Sequence, residues 1–504
     1  MGFLPIFIRI SKQVKAVTKN KQRNSNDKHR VSNMKTGSAK WIVICLHFIS
    51  VQMIHAQDTV RVLKEDEFLS IVRLNHPVAK QGGLLVDLAR AELQSIRGNF
   101  DPVFSYSNDQ KTFDGKNYFN YNNAEIMIPT WFGIEAYAGL EQNTGDYLNS
   151  EVTKNKSSYA GISVPLLKDL VLDKRRAALQ QGKLFTQQTE WERRNIINDL
   201  LLDAYISYWN WARDYQMFLL LENTIRINEF RYGLIKISFQ QGDRAAVDTT
   251  EALAQLQNFQ QLREEVWLKF RKSTLDVANF LWLQNEQPAY LSNNVIPDTG
   301  WVSGNFTKLN VDELSQWLTQ TISNHPKLQM IDYKLQALEV ERRLKFQNLL
   351  PKADLKYNFL QSGYQFPSGS NVVFFENNYK FGVNVAIPIP NRSGFGQYKA
   401  ARIKLKSVDL DRNFTQLTLE NKVRFQYNEL LNLQKQVSIY EEVYKNYKRL
   451  FEAEQLKFSL GETTLFLLNT RETKLLETQQ KLLELKTKFY QSFAKLNWAS
   501  GLLK

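Results

Sequence analysis

Two rhythms of apolar residues alternate along this chain, and the switch between them happens twice, half a chain apart. Residues 64–100 and 312–350 read as helices, each broken by an Asn-His-Pro: Asn75-His76-Pro77 and Asn324-His325-Pro326. Proline suits a first helical turn, where its missing N–H leaves no carbonyl unpaired. After Pro102 and Pro351 the period drops to two. Phe104 and Tyr106, and then Leu355, Tyr357 and Phe359, alternate with polar residues. The returning segments alternate as well, through Ile162, Val164 and Leu166 and through Val383, Val385, Ile387 and Ile389. Such alternation predicts strands with one apolar and one polar face, half-buried or facing lipid. Turn-rich stretches lie between them: Asp114-Gly115-Lys116-Asn117, Asn143-Thr144-Gly145-Asp146 and Pro367-Ser368-Gly369-Ser370-Asn371. The first strand-to-strand connection is 63 residues against 37 in the second. Its excess includes Ile126-Met127-Ile128-Pro129-Thr130-Trp131, an additional strand or a folded loop.

The remainder predicts helix on a large scale. From Lys168 to Gln240 there is no proline, and Gly182 and Gly233 are the glycines. As one helix this stretch is roughly 110 Å long at the usual rise per residue. Gly242 turns the chain and Ala245–Leu283 returns it; Gln397–Ser459, Gly461 and Thr464–Leu496 repeat the plan. Helices of this length need lateral support from other helices. Leu465, Leu468, Leu475, Leu476, Leu482 and Leu483 recur at three-and-four spacing among Lys and Glu, as in coiled-coil packing.

The two halves share one template. Asn99 and Pro102 follow Pro77 at the spacing with which Asn348 and Pro351 follow Pro326, and Glu92 matches Glu341. Gly161-Ile162-Ser163-Val164-Pro165 answers to Gly382-Val383-Asn384-Val385 with Pro388, and Phe239-Gln240-Gln241-Gly242 to Phe458-Ser459-Leu460-Gly461. The period far exceeds a solenoid unit. It describes a large hairpin-shaped module present twice, residues 58–300 and 301–504, of the kind that closes rings by pseudo-symmetry and oligomerisation.

Charge changes the picture at one end. The formal net charge of the 504 residues is +14, but residues 1–57 hold ten Lys/Arg and a single acid, leaving +5 on the rest. A nucleic-acid binder calls for a clustered basic surface, so no nucleic-acid partner is expected. Lys35 and Lys40 precede an apolar run from Trp41 to Ile54, and Ala56 offers a small residue for cleavage. Residues 1–57 therefore read as a leader with a secretory signal, Met34 being a plausible true start. The one cysteine, Cys45, lies within it, so the mature chain has no thiol chemistry. After the leader no run approaches the ~20 apolar residues of a spanning helix. Membrane crossing, if any, falls to strands.

Candidate chemistry is sparse. His76 and His325 are the histidines left after the leader, at equivalent repeat positions, which favours a structural role over catalysis. No zinc-type His/Cys spacing and no phosphate-binding glycine loop occurs. Neither cofactor nor metal is expected, and no enzyme. Lys174-Arg175-Arg176, opening the longest helix after a strand, reads as a juxtamembrane polar band. Trp209, Trp211, Trp282 and Trp498 read as anchors of helix packing.

The order of these parts resembles the TolC-like outer-membrane efflux protein family over nearly the whole mature chain. Asn-His-Pro at the head of each half, proline at each helix-to-strand step (Pro102, Pro351) and Phe-x-x-Gly at each turn carry the resemblance. It implies a mainly α fold with a β portion: duplicated long helical hairpins forming an α-barrel, and four or more transmembrane strands contributing to a trimeric twelve-stranded β-barrel in outer-membrane lipid. It also implies a homotrimer whose partners are a periplasmic adaptor and an inner-membrane pump or secretion ATPase. By the same resemblance the turns Gly242-Asp243-Arg244 and Gly461-Glu462-Thr463 form a periplasmic tip that opens and meets the adaptor. Asp248 matches an aspartate that helps hold the tip closed. Phe458 stands where a gating tyrosine can occur, and a phenyl ring makes no such hydrogen bond. Thr463 stands where an arginine can occur, while Leu467 and Thr470 stand where some members carry rings of aspartate. An apolar constriction at Leu467 is then expected instead of an acidic filter. By this resemblance an outer-membrane export duct is the expected function. The competing class is a periplasmic adaptor with coiled-coil hairpins, disfavoured because the strand pairs are duplicated.

Overall fold

A computed structural model describes residues 60–292, 294–303, 312–364 and 378–503. The predicted leader and the Pro367–Asn371 turn fall outside the described residues. The first half runs β1 (Arg61–Leu63), α1 (Glu65–Asn75), α2 (Pro77–Arg97), β2 (Val103–Phe113), β3 (Lys116–Pro129), β4 (Glu135–Thr144), β5 (Asn155–Pro165), α3 (Lys174–Gln240) and α4 (Ala246–Ala278). β6 (Val295–Pro297), still within residues 58–300, leads into the second half, which runs α5 (Asp312–Asn324), α6 (Pro326–Gln347), β7 (Lys352–Ser362), β8 (Tyr379–Ala386), α7 (Arg392–Ser459) and α8 (Leu465–Ala499). β1 and β6 pair in parallel and tie the start of the first half to the lead-in of the second.

Each Asn-His-Pro divides the helix predicted around it into two, for one physical reason. The residue before proline is driven to extended backbone, and His76 (φ −63°, ψ 135°) and His325 (φ −65°, ψ 127°) adopt it. The proline then occupies the first turn of the next helix. Each imidazole caps that helix: Nδ1 of His76 accepts the Val78 N–H at 3.2 Å, and Nδ1 of His325 accepts that of Lys327 at 3.1 Å. Both rings pack against the end of their own half's return helix. His76 stacks on Phe280, centroids 5.8 Å apart, and meets the edge of Trp282. His325, only 3% exposed, lies under Gly501 (φ 72°), where a Cβ would come within 2.5 Å of Pro326 Cδ.

The sheet corrects the two-pair expectation. Six antiparallel strands form one meander in the order β2-β3-β4-β5-β7-β8. The long first connection is neither a lone strand nor a loop but a full hairpin, β3 and β4. Ile126-Met127-Ile128-Pro129 ends β3. Asp114 (φ 49°) and Gly115 (φ 70°) make the two-residue β2–β3 turn, the left-handed pair that matches strand twist. Leu166, Ile387 and Ile389 lie beyond the strand ends. Alternation holds in the rows nearest the helices. One face carries the paired row Phe104, Ile126, Ala138, Ala160, Phe359, Tyr379, while Asn108, Asn122 and Gln142 make the same face polar further out. The other carries Ser107, Asn123, Glu141, Ser157 and Ser362.

Below the sheet the helices form a side-by-side array. Near the strands the packed order is α2, α3, α6, α7; further away it is α4, α3, α8, α7. α3 is 67 residues and α7 is 68, about 100 Å each. Gly182, in the third turn of α3, lets Ile96 of α2 approach: a Cβ there would meet its Cδ1 at 2.8 Å. The core lies where both arrays meet. Trp211, Tyr208, Phe68, Phe259 and Leu221 are fully buried, and Trp209 stacks on Tyr490 at 4.1 Å. Trp498 donates from Nε1 to Asp199 at 2.6 Å under Lys422. No described helix is long and apolar enough to cross a membrane.

The basic run at the head of α3 is committed to the sheet–helix junction. Arg175 pairs with Glu135 of β4, and Arg176 with Asp173 at 3.1 Å and with the Leu170 carbonyl at 3.0 Å.

Candidate functional site

Both long hairpins reverse through the same backbone device. After α3, Gly242 (φ 86°) donates its N–H to Phe239 O at 3.0 Å and Asp243 to Ser238 O at 2.9 Å. After α7, Gly461 (φ 78°) donates to Phe458 O at 3.2 Å and Glu462 to Lys457 O at 3.0 Å. These paired bonds close helix C-termini through a left-handed residue. A Cβ at either glycine would meet nothing within 4 Å; the positive φ, not space, calls for glycine. α8 then starts from Thr464, whose hydroxyl accepts the Leu467 N–H at 3.3 Å, while α4 starts from Ala245 with no side-chain cap.

The predicted tip residues come together, with different chemistry from that expected. Arg244 Nη1 and Asp248 Oδ2 are 3.8 Å apart, an ion pair too long for a hydrogen bond. The Arg244 guanidinium instead sits 4.5 Å from the centre of the Phe458 ring. The phenyl ring thus links the two turns by a cation–π contact in place of a tyrosine hydrogen bond. Thr463 donates its hydroxyl to Glu454 Oε1 at 2.6 Å, bracing the second turn against α7. Beneath the turns Ile235, Ala252, Leu465 and Leu468 form a small apolar cluster, with Tyr232, Phe451 and Phe458 packed on it.

Several contacts lock the two hairpins together below the turns, and no local sequence signature marks them. Arg231 of α3 donates to both oxygens of Glu472 on α8, at 2.7 and 3.0 Å, and Asn228 donates to the same carboxylate at 3.1 Å. Asn469 donates to Glu251 at 3.1 Å and Gln255 to Thr473 at 3.1 Å, joining α4 to α8. Arg231 and Glu472 stand 241 residues apart, and a single carboxylate on a charge-rich helix has no local signature.

Leu467 and Thr470 do not meet these locks. They lie on the exposed strip of α8 that continues through Lys474, Glu477 and Lys481, opposite buried Leu465, Leu468 and Glu472. Leu467 is 37% exposed, and the Thr470 hydroxyl is turned back to the Phe466 carbonyl at 2.8 Å. His76 and His325 lie far along the chain from either turn, in their caps. Burial, with the positive charges of Lys327 and Lys422, pushes His325 down to about 4. Among the described residues no group of three or more His, Cys, Asp or Glu is arranged to hold a metal.

Residues 317–502, most of the second half, match the family model of outer membrane efflux proteins. No curated protein matches the sequence significantly. Among solved structures, the CmeC outer membrane channel of Campylobacter jejuni superposes with a TM-score of 0.59 at 13% identity, covering 87% of this chain and 85% of that one. The open-state MtrE outer membrane channel of Neisseria gonorrhoeae gives 0.59 at 13%, covering 87% and 88%. The outer membrane protein VceC of Vibrio cholerae gives 0.57 at 11%, covering 87% and 96%. At such identities the likeness establishes the fold, and with the matched segment it bears out the resemblance to TolC-like outer-membrane efflux channels.

Proposed function

We propose that the protein is an outer-membrane export duct: three copies close edge to edge into a β-barrel continued by a helical tunnel. The observation that supports this best is that sheet and helices end on the same two sides. β2, with α2 and α4 below it, bounds one side; β8, followed by α7, bounds the other. Six alternating strands leave β8 antiparallel to β2, so β8 of one copy fits β2 of the next. α7 also presents an unusual apolar strip along this side. Ile403, Leu410, Phe414, Leu417 and Phe425 are each 56–70% exposed and, at seven, four, three and eight residues' spacing, share one helical face. On the opposite side Leu84 and Leu88 of α2 are 65% and 57% exposed. A strip this large on a lone chain marks an interaction face, and a neighbouring copy of this chain fits it.

In this reading residues 1–57 direct export, and 58–300 and 301–504 are the two repeats of each copy. The apolar sheet face meets outer-membrane lipid. Gly242, Asp243, Arg244, Gly461, Glu462 and Thr463 form the periplasmic tip that meets an adaptor. Arg244, Asp248 and Phe458 hold it closed, and Leu467 with Thr470 narrows the aperture. The duct is passive, driven by an inner-membrane pump or secretion ATPase. Native extraction tests this: a trimer in the outer-membrane fraction is expected, with Phe414→Glu folded but monomeric. A soluble monomer in the periplasm would overturn it.

A further inference from the structure

Resting on that reading, we propose that the β3–β4 hairpin is part of the barrel wall, so that three copies enclose eighteen strands instead of the twelve that four per copy would give. Each open edge then takes a second copy: β8 of one against β2 of the next.

Three observations place the hairpin in the wall. First, in the rows nearest the helices its side chains keep step with the rest of the sheet, and further out Asn122 and Gln142 continue a polar row that β2 shares through Asn108. Ile126 and Ala138 complete the apolar row that begins at Phe104 and ends at Tyr379, while Glu125, Asn123 and Glu141 complete the polar face. A hairpin folded away from the membrane has no need of this alternation. Second, its lengths and ends match a wall. β3 and β4 are 14 and 10 residues, against the ~9–11 that span a bilayer. Their shared turn sits at the sheet–helix junction. Glu135 pairs there with Arg175, and Gly133 (φ 90°) is so close to Arg176 that a Cβ would stand 2.7 Å from Nη2. Trp131 and Phe132 project from that turn, 78% and 62% exposed, where an interfacial aromatic girdle belongs. Third, the hairpin is bound across the sheet on the polar side. Tyr159 of β5 lies over Gly139 of β4, where a Cβ would stand 2.4 Å from the ring, and its hydroxyl donates to Glu125 of β3 at 2.6 Å. An aromatic ring covering a strand glycine is a device that fixes register.

Two added strands preserve the alternation of direction, so β5 still descends into α3 and the outer edges still complement each other. Barrel diameter grows roughly linearly with strand number, so the mouth is about half again as wide, in the range where barrels hold an aqueous channel. It therefore admits solutes too bulky for a twelve-stranded mouth.

Residues 58–504 hold no cysteine, so pairs introduced there report alone once the proposed leader is removed. Ser105→Cys with Glu125→Cys, directly paired across β2 and β3, should close a disulfide within each copy in the outer membrane. Ser107→Cys on β2 with Lys380→Cys or Asn384→Cys on β8 should join copies into a covalent trimer. Leu84→Cys on α2 with Leu410→Cys on α7 reports ring closure independently. If the α2–α7 pair joins copies while β2 cysteines bond to Ser157→Cys on β5, the hairpin lies outside the wall and the eighteen-strand proposal falls alone. If neither pair joins copies, the duct reading falls with it.

Discussion

The guanidinium of Arg244 lies 4.5 Å from the centre of the Phe458 ring, so each of the two helical reversals is held by a residue of the other. The contact sits in one copy, at the end of helices about 100 Å long, above the apolar cluster of Ile235, Ala252, Leu465 and Leu468. Cation–π pairs of this exposure are worth about 0.5–1 kcal/mol, and a ring of copies would repeat it around one aperture. Phe458→Leu should therefore raise the channel's resting conductance in planar bilayers, and Phe458→Tyr should leave it near wild type. Wild-type conductance in a trimeric Phe458→Leu variant would show that the tip is held elsewhere.

Glu472 is the deeper lock. It receives two bonds from Arg231 and one from Asn228, and the Arg231 and Glu472 side chains are only 11% and 8% exposed. Removing one partner of a buried pair leaves a charge without compensation, at a cost of about 3–5 kcal/mol. Glu472→Ala should lower the denaturation midpoint accordingly, and adding Arg231→Met should recover much of the loss. A Glu472→Ala change below about 1 kcal/mol would mean that water reaches Arg231.

What the sequence showed and what it hid divide by range. The long helices were legible because proline is absent from Lys168 to Gln240, and the reversals because Gly242 and Gly461 need positive φ. The caps were legible as positions but not as chemistry: Asn-His-Pro marked a break, and only the fold shows imidazole Nδ1 accepting the N–H two residues on. The β3–β4 hairpin escaped because Asn117, Asn120, Asn122 and Asn123 interrupt apolar alternation within β3, so only Ile126-Met127-Ile128 looked like strand. Its register becomes plain only beside β2 and β5. The Arg231–Glu472 lock, like the Phe458–Arg244 contact, joins distant segments whose separate faces read as ordinary charged helix.

His325 should make stability depend on pH. Burial first, then Lys327 and Lys422, lowers its folded pKa to about 4 from 6.5. Between these values the unfolded chain takes up a proton that the folded chain refuses. The contribution is thus complete above 6.5 and is lost as pH falls toward 4. Protonation also removes the Nδ1 acceptor that caps α6. Asparagine is a good cap without that titration, so the melting temperature of His325→Asn should fall less than wild type between pH 7 and 5. Parallel profiles for the two proteins would exclude His325 as the source. His76, lowered mainly by burial, should act in the same direction.

Leu467 sets the last expectation. It shares the exposed strip of α8 with Thr470, Lys474, Glu477 and Lys481, and it is the apolar member nearest the turn that faces the proposed aperture. Lys474 is paired with Glu477 at 2.8 Å and Lys481 with Glu484 at 3.3 Å, so the charges above it largely cancel. A ring of leucines below neutralised pairs blocks ions by dewetting and not by charge. Leu467→Ser should wet this ring and raise conductance with little change in cation preference, and its effect should add to that of Asp248→Ala because the two act at separate contacts. Leu467→Asp should raise conductance and also shift the reversal potential toward cations. If Leu467→Ser conducts like wild type while Asp248→Ala opens the channel, the barrier is the turn itself and Leu467 faces away from the lumen.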